Sequence, residues 1–446
     1  MQVQHRLIIR HPLQPAILVV DDHGEARLPA FTSDDHHTAE VDYINATVHT
    51  QFGLLTTVLR SLHHADPHGD IVGRVHELET HGSSALRSHT LQWCGHAELL
   101  SLADGEDQAA IATWRGDEAG PGAVVDGREW TRPGWFKEVH DWIERALRDA
   151  GLGTVQDIIQ LRAWPTSCVL CVHAASGNYY FKAVPESLRR ECAVTAYLAQ
   201  HFPTAVPQVI TTESARRWLL MAACPGRTLD AVTDVVSWER AAMQYARLQV
   251  ACVPRVRELG ALGCARRSLD ALAEAIGPLS TDTAAHCPGE PDGLSTAEIE
   301  RFQACVPLLQ WHCEQLAAYG IPDTIEHGDL WPGNFLVDQD TCVIIDWEDV
   351  AIAHPFFSLA PLRVGLFQSQ ISASAFLDRL EHAYLAAYAA LAPPERLRTA
   401  LHMAAPLSFI DMAIRYRHQP PSMVRLHPWM RDLVPQTLRL ALACIV

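Results

Sequence analysis

The sequence predicts an α+β protein: a small α+β domain in front, then a bilobal region with a β-rich first lobe and a mainly helical second lobe. Three observations predict it. Residues 1–115 mix short apolar runs with one helix-compatible stretch, residues 158–184 read as consecutive strands, and helical patterning dominates from 227 to 446. The stretch GDEAGPGAVVDGREWTRPG (116–134), rich in Gly, Pro and charge, reads as the linker between the first part and the rest.

In the front part, AILVV (16–20) is a short apolar run. DDHGEA then turns the chain, with Gly24 as a hairpin signal. AEVDYINATVHTQFGLLTTVLRSL (39–62) is helix-compatible in its first half, with Gly53 as the stop. A further helix is expected near HAELLSL (96–102). After the linker, Trp135, Phe136, Val139, Trp142, Ile143, Ala146 and Leu147 recur at helical spacing, and Gly151 ends that helix. IIQLRAWPTSCVLCVHAASGNYYFKAV (158–184) reads as three strands joined by AWPTS (163–167) and by a hairpin turn over Ala175–Asn178. SLRRECAVTAYLAQHF (187–202) reads as a helix and WLLMAACPG (218–226) as a strand with a Pro-Gly stop. The helical half is broken by CPGEPDG (287–293) and by a strand interlude near 335–345.

With 446 residues, roughly two or three domains are expected. A formal net charge of -17 argues against non-specific nucleic-acid binding, which needs a basic surface to neutralise phosphates. No apolar stretch approaches the roughly 18 residues of a membrane helix, and the N-terminus lacks the pattern of a signal peptide. The 12 cysteines read as free buried thiols of a cytoplasmic protein. Cys168 and Cys171 form a CxxC, but on a strand they face opposite sides. The acid- and His-rich stretches DDH (21–23) and DDHH (34–37) carry metal-ligand residue types but read first as polar turns.

The densest polar chemistry lies in IEHGDLWPGNFLVDQDTCVIIDWED (325–349). His327 and Asp329 fall on a loop expected just past a helix, and Trp331-Pro332-Gly333 forces a turn. NFLV and CVIID read as two strands joined by Asp338-Gln339-Asp340, with Asn334 starting the first and Asp346 ending the second. Such a hairpin brings Asn334 and Asp346 together, with Asp329 beside them. Three oxygen-bearing side chains in one corner suit a hard cation such as Mg²⁺. Phosphoryl transfer needs a carboxylate for the attacking hydroxyl, an Asn and an Asp for the metal, and a Lys for the nucleotide phosphates.

HGDLWPGN followed by IDWED resembles the aminoglycoside phosphotransferase and choline kinase family, small-molecule kinases with a protein-kinase-like fold. The resemblance covers about residues 135–446. It implies Asp329 as catalytic base, Asn334 and Asp346 as Mg²⁺ ligands, His327 as a support of the loop, and ATP as phosphoryl donor to the hydroxyl of a small molecule. It also implies that Lys182, in YYFKA, pairs with Glu191 on the following helix and serves the nucleotide. Backbone groups of Ala222 and Ala223 would meet the adenine, and Thr166 and Ser167 would cap a phosphate. The sequence departs from the family in two places: AWPTS stands where a Gly- and Ser-rich loop is usual, and HPFFSLA (354–360) has Ser358 where Asp is common. Glu348 and Asp349 fit supporting hydrogen bonds, a further metal contact or a solvated role, and Asp411 is a candidate for the acceptor pocket.

Residues 1–115 resemble a Nudix-type domain, but the turn TVHTQFGL (47–54) lacks the acids that Nudix hydrolysis needs. A recognition or dimerising role fits that part better. Two functions stay open at this level: a cytoplasmic ATP-dependent small-molecule kinase, or a kinase-fold protein that binds nucleotide or metabolite without transfer.

Overall fold

Among the described residues, seven strands come from the front part: β1 (Gln2–Arg10), β2 (Ala16–Asp22), β3 (Glu25–Arg27), β4 (Ala30–Asp34), β5 (Leu55–Ala65), β6 (Ile71–His81) and β7 (Leu91–Gly95). The computed structural model describes residues 2–23, 25–34, 36–65, 71–82, 86, 88–95, 105–116, 127–339, 341–368, 373–419, 424 and 428–445. The strands form one sheet in the order β3-β2-β1-β6-β5, with β4 added on β1 and β7 on β2. β1 runs parallel to β6, so the sheet is mixed. The helix Asp42–Phe52 packs Ile44 and Val48 against Leu7, Ile9, Val58 and Leu78. Gly53 ends that helix at φ 70, with its N–H on His49 O at 2.9 Å, as its position in the sequence suggested. The helix expected at 96–102 lies outside the described residues, as do Gly24, Asp35, residues 117–126 and Asp340.

The later part of the expected linker is packed. Trp130 is buried in one core with Trp135, and Gly134 N–H donates to Glu79 at 2.6 Å. Trp135–Asp149 is a helix that buries Trp135, Val139, Trp142, Ile143 and Leu147. Its apolar face lies against a second sheet of β8 (Val155–Ala163), β9 (Cys168–Ala174), β10 (Gly177–Ala183), β11 (Val209–Glu213) and β12 (Trp218–Ala222), ordered β11-β12-β10-β9-β8. The side chain of Gln160 on β8 exchanges hydrogen bonds with both backbone groups of Val58, at 2.7 and 2.9 Å, where β5 carries a register irregularity. That buried amide satisfies backbone the ladder leaves unpaired, and it ties the two sheets together. Most of the 12 cysteines are buried, and burial pushes the Cys168 thiol up to about 12.

The chain divides into two compact units: Met1–Arg189 with Ile210–Ala223, and Arg190–Val209 with Cys224–Val446. The second unit is mainly helical. It contains the helices Arg190–His201, Val235–Cys252, Leu269–Thr281, Thr296–Tyr319, Leu359–Gln368, Ala373–Leu385, Pro394–Arg417 and Leu433–Ala443. Ser295 and Glu298 form a capping box at the start of Thr296–Tyr319. Two small sheets sit among the helices. β13 (Arg227–Thr228), β16 (Phe335–Val337) and β17 (Cys342–Ile344) form one, and β14 (Ala265–Arg266), β18 (Ala351–Ala353) and β15 (Thr324–Glu326) form the other. Phe335, Val337, Cys342, Ile344, Trp347 and Ile352 join the helical core, so the polar residues between them are delivered by anchored backbone. Among the described residues, no helix is long and apolar enough to cross a membrane.

Candidate active site

The loop that carries Asp329 leaves β15, a three-residue strand that intervenes after the helix Thr296–Tyr319. His327 is fully buried and fastens the loop at three points. Its N–H donates to the Tyr245 hydroxyl at 3.0 Å, its Nε2 donates to Ile345 O at 2.9 Å, and its Nδ1 accepts the Asp329 N–H at 3.3 Å. A carbonyl partner on one nitrogen and an amide donor on the other fix the neutral Nε2–H tautomer. Gly328 follows at φ +86, and a Cβ there would lie 2.4 Å from Asp349 O, so only glycine lets these two backbone segments touch.

Pro332–Asn334 forms a single 3-10 turn that returns the chain toward Asp329. Asn334 Nδ2 donates to Asp329 O at 2.7 Å and to Asp329 Oδ2 at 3.2 Å. This leaves Oδ1 of Asn334 as the oxygen a cation would take. β16 and β17 then pair in antiparallel register, Phe335 opposite Ile344, and Ile345 N–H donates to Asn334 O at 3.0 Å. Asp346 follows directly, in the left-handed region at φ +67, which Asp tolerates better than most residues and which concentrates at functional sites.

Carboxylates crowd this corner. Oxygens of Glu191, Asp346 and Glu348 lie within 4.8 Å of one another, the one such group among the described residues close enough to share a cation. Glu191, in the first turn of Arg190–His201, is buried. Burial first, then the charges of Asp346 and Asp349, push the Asp329 carboxyl up to about 7, against the opposing pull of Arg415 and the Asn334 hydrogen bond. A hard-oxygen set of three carboxylates fits Mg²⁺. Tyr416 also belongs to this corner: burial and then the Asp329 carboxylate push its hydroxyl up to about 12.

Beneath the loop lies an ion network that sequence patterning does not reveal. Arg267 reaches Glu326 at 3.2 Å, Asp411 at 3.3 Å and Asp349 O at 2.7 Å. Arg415 reaches Asp349 at 3.0 Å, Asp411 at 3.3 Å and Gly328 O at 2.7 Å. Asp411 is therefore paired twice within this network. Its i, i+4 spacing to Arg415 was visible in the sequence, but the destination of that pair was not. Ser358 donates to Glu326 at 3.0 Å and lies 2.7 Å from the Tyr245 hydroxyl, which in turn takes the His327 N–H. The residue that departs from the family pattern thus bridges a buried acid to the loop's anchor.

The remaining expected residues lie in the other unit. Lys182 is buried on β10, opposite Val169 and Leu219. Glu191 and Lys182 fall in different units. Trp164 and Ser167 exchange backbone hydrogen bonds at 2.8 and 3.3 Å, closing AWPTS into a tight turn. The Ser167 N–H therefore serves the turn, Pro165 has no N–H, and Thr166 is half-buried beside them. Ala222 pairs with Tyr179 at the end of β12, and the Ala223 N–H donates to Asn178 O at 3.0 Å.

A family model described as the phosphotransferase enzyme family (APH) matches residues 169–394, just over half of the chain. The chain belongs to this family. The protein is accordingly a phosphotransferase, and the matched range contains Lys182 and the whole HGDLWPGN and IDWED stretch. Solved structures similar to this phosphotransferase include a choline/ethanolamine kinase family protein from Mesorhizobium loti, at 18% identity, covering 65% of this chain and 88% of that one, with a TM-score of 0.45. Choline kinase LicA from Streptococcus pneumoniae is 13% identical over 69% of this chain and 99% of its own, with a TM-score of 0.46. A thermostable aminoglycoside phosphotransferase mutant, in ternary complex with AMP-PNP and hygromycin B, is 13% identical over 68% of this chain and 98% of its own, with a TM-score of 0.47. No curated protein matches the chain.

Proposed function

We propose that this phosphotransferase moves the γ-phosphoryl group of ATP to a hydroxyl of a small molecule, an amino-alcohol, sugar, amino acid or aminoglycoside-like acceptor, with Mg²⁺ as cofactor. The observation that carries the reading is one joined unit: Asp329 hydrogen-bonded to Asn334, next to the carboxylates of Glu191, Asp346 and Glu348. Asp329 accepts the proton of the acceptor hydroxyl, and a carboxyl pushed up to about 7 is matched to that task near neutral pH. Asn334 orients it and offers Oδ1 to the metal, with Asp346 as the principal carboxylate ligand. Glu191 and Glu348 flank Asp346 and fix the charge of that site. Mg²⁺, when bound, neutralises charge on the nucleotide's phosphates. Lys182 adds a second cation for the same phosphates, and Thr166, Ser167, Ala222 and Ala223 contact the nucleotide.

One observation favours a second reading, a nucleotide- or metabolite-binding protein without transfer: the Pro165 turn, which supplies few amide donors for a phosphate. The test is ADP release with ATP and a panel of amino-alcohols, sugars, amino acids and aminoglycosides, in Mg²⁺ and then in EDTA. Acceptor-dependent release that EDTA abolishes supports transfer, and loss of it in Asp329→Asn with nucleotide binding retained assigns the base. Nucleotide binding with no turnover on any acceptor refutes the transfer reading.

A further inference from the structure

The motif's own residues hold two edges of Asp329. Its N–H goes to His327 Nδ1 at 3.3 Å, and its carbonyl accepts from Trp331 N–H at 2.9 Å and Asn334 Nδ2 at 2.7 Å. The peptide plane just before Asp329 has a further edge, the Gly328 carbonyl. That oxygen is held from far outside the motif, by Arg415 near the end of the helix Pro394–Arg417, at 2.7 Å. All three guanidinium nitrogens of Arg415 are engaged on different chain segments: one on Gly328 O, one on Asp349 Oδ2 at 3.0 Å, one on Asp411 Oδ2 at 3.3 Å. Gly328 and Asp349 are also the two segments whose backbones touch, since a Cβ on Gly328 would lie 2.6 Å from Asp349 Cβ.

We propose that Arg415 is a positioning residue for phosphoryl transfer: its planar fork locks the Gly328–Asp329 peptide to Asp349 and so sets where the Asp329 carboxylate meets the acceptor hydroxyl. This inference rests on the phosphotransferase reading above. With the peptide plane clamped at its carbonyl by Arg415 and at its N–H by His327, rotation about that peptide is blocked, and the direction of the Asp329 side chain is fixed before any acceptor arrives. The guanidinium fits this task and an ammonium does not, because Lys is a single point charge without the fork. Arg267 backs the clamp from the other side by taking Asp349 O at 2.7 Å and sharing Asp411.

The test compares Arg415→Lys and Arg415→Gln with the wild type, measuring kcat, KM for nucleotide and acceptor, AMP-PNP affinity and thermal unfolding of the full chain. The Lys variant keeps the charge that balances Asp349 and Asp411, so it reports on the fork even if the Gln variant does not fold. A misplaced reacting group costs about 10²-fold, so kcat should fall by that order for Gln and on the order of tenfold for Lys. AMP-PNP affinity should stay within about twofold, because the lost interaction acts on the transferring geometry. A Lys variant with wild-type kcat overturns the proposal, as does a loss of kcat matched by an equal loss of nucleotide affinity. An active wild type with an indifferent Arg415 removes only this role. A wild type inactive on every acceptor removes the phosphotransferase reading and this role with it.

Discussion

Replacing Asp329 with Asn should stabilise the fold while removing turnover. In the folded protein, burial and the neighbouring Asp346 and Asp349 push this carboxyl from the ordinary 3.8 to about 7. The folded value lies above the unfolded one, so the unfolded chain ionises first as pH rises. The folded state therefore loses stability from about pH 4 upward, and the loss is complete above about pH 7. Taken at full burial, the gap between the two values corresponds to about 4 kcal/mol. Asp329 is half-buried, and solvent screening reduces the expected figure to about 2 kcal/mol. The assay is urea unfolding of wild type and Asp329→Asn in EDTA, at about pH 8 and about pH 4, repeated with Mg²⁺ at the higher pH. The variant should gain about 2 kcal/mol at the higher pH and close to nothing at the lower one. Mg²⁺ should narrow the gap, because a cation among these carboxylates relieves the repulsion that only the wild type suffers. Turnover should fall roughly 10²- to 10⁴-fold. A gain that does not change with pH, or no gain at about pH 8, would refute the account of why this carboxyl is pushed up.

Three further outcomes follow from the same geometry. Ser358→Asp places a second carboxylate where Ser358 now donates to Glu326 at 3.0 Å, and should cost about 2–4 kcal/mol by urea unfolding; an unchanged midpoint would contradict it. Gly328→Ala forces a Cβ to 2.4 Å from Asp349 O at φ +86, and should cost about 3 kcal/mol together with most of kcat, read by thermal unfolding and turnover. Lys182→Met keeps the buried stem but removes the cation, so AMP-PNP affinity should drop about tenfold with the fold retained; unchanged affinity would exclude Lys182 from nucleotide binding.

How much of this was legible in the sequence depends on distance along the chain. The strands β8 to β10, the helix Trp135–Asp149 with its buried face, and the stop at Gly53 follow from periodicity and turn residues, which are local signals. The pairing of Asp329 with Asn334 is local as well, since one 3-10 turn covers the five positions between them. The strand β15 before His327 was not expected, because three residues carry too short a pattern and β15 forms by pairing with β18. The packing of Trp130 was hidden by the Gly, Pro and charged residues around it, which read as a linker until the Trp finds a core.

The sequence by itself pointed to the phosphotransferase class and placed Asp329, Asn334 and Asp346 in one short stretch, whose turn and hairpin bring them together without help. Only the tertiary structure decided what surrounds them. It sets Glu191 beside Asp346 and Glu348, brings Arg267 and Arg415 under the loop, and makes Ser358 the link from Glu326 to Tyr245. Those partners are separated by tens to more than a hundred residues. Their contacts are fixed by how apolar helix faces and short buried strands pack, and packing brings together residues that share no spacing in the chain.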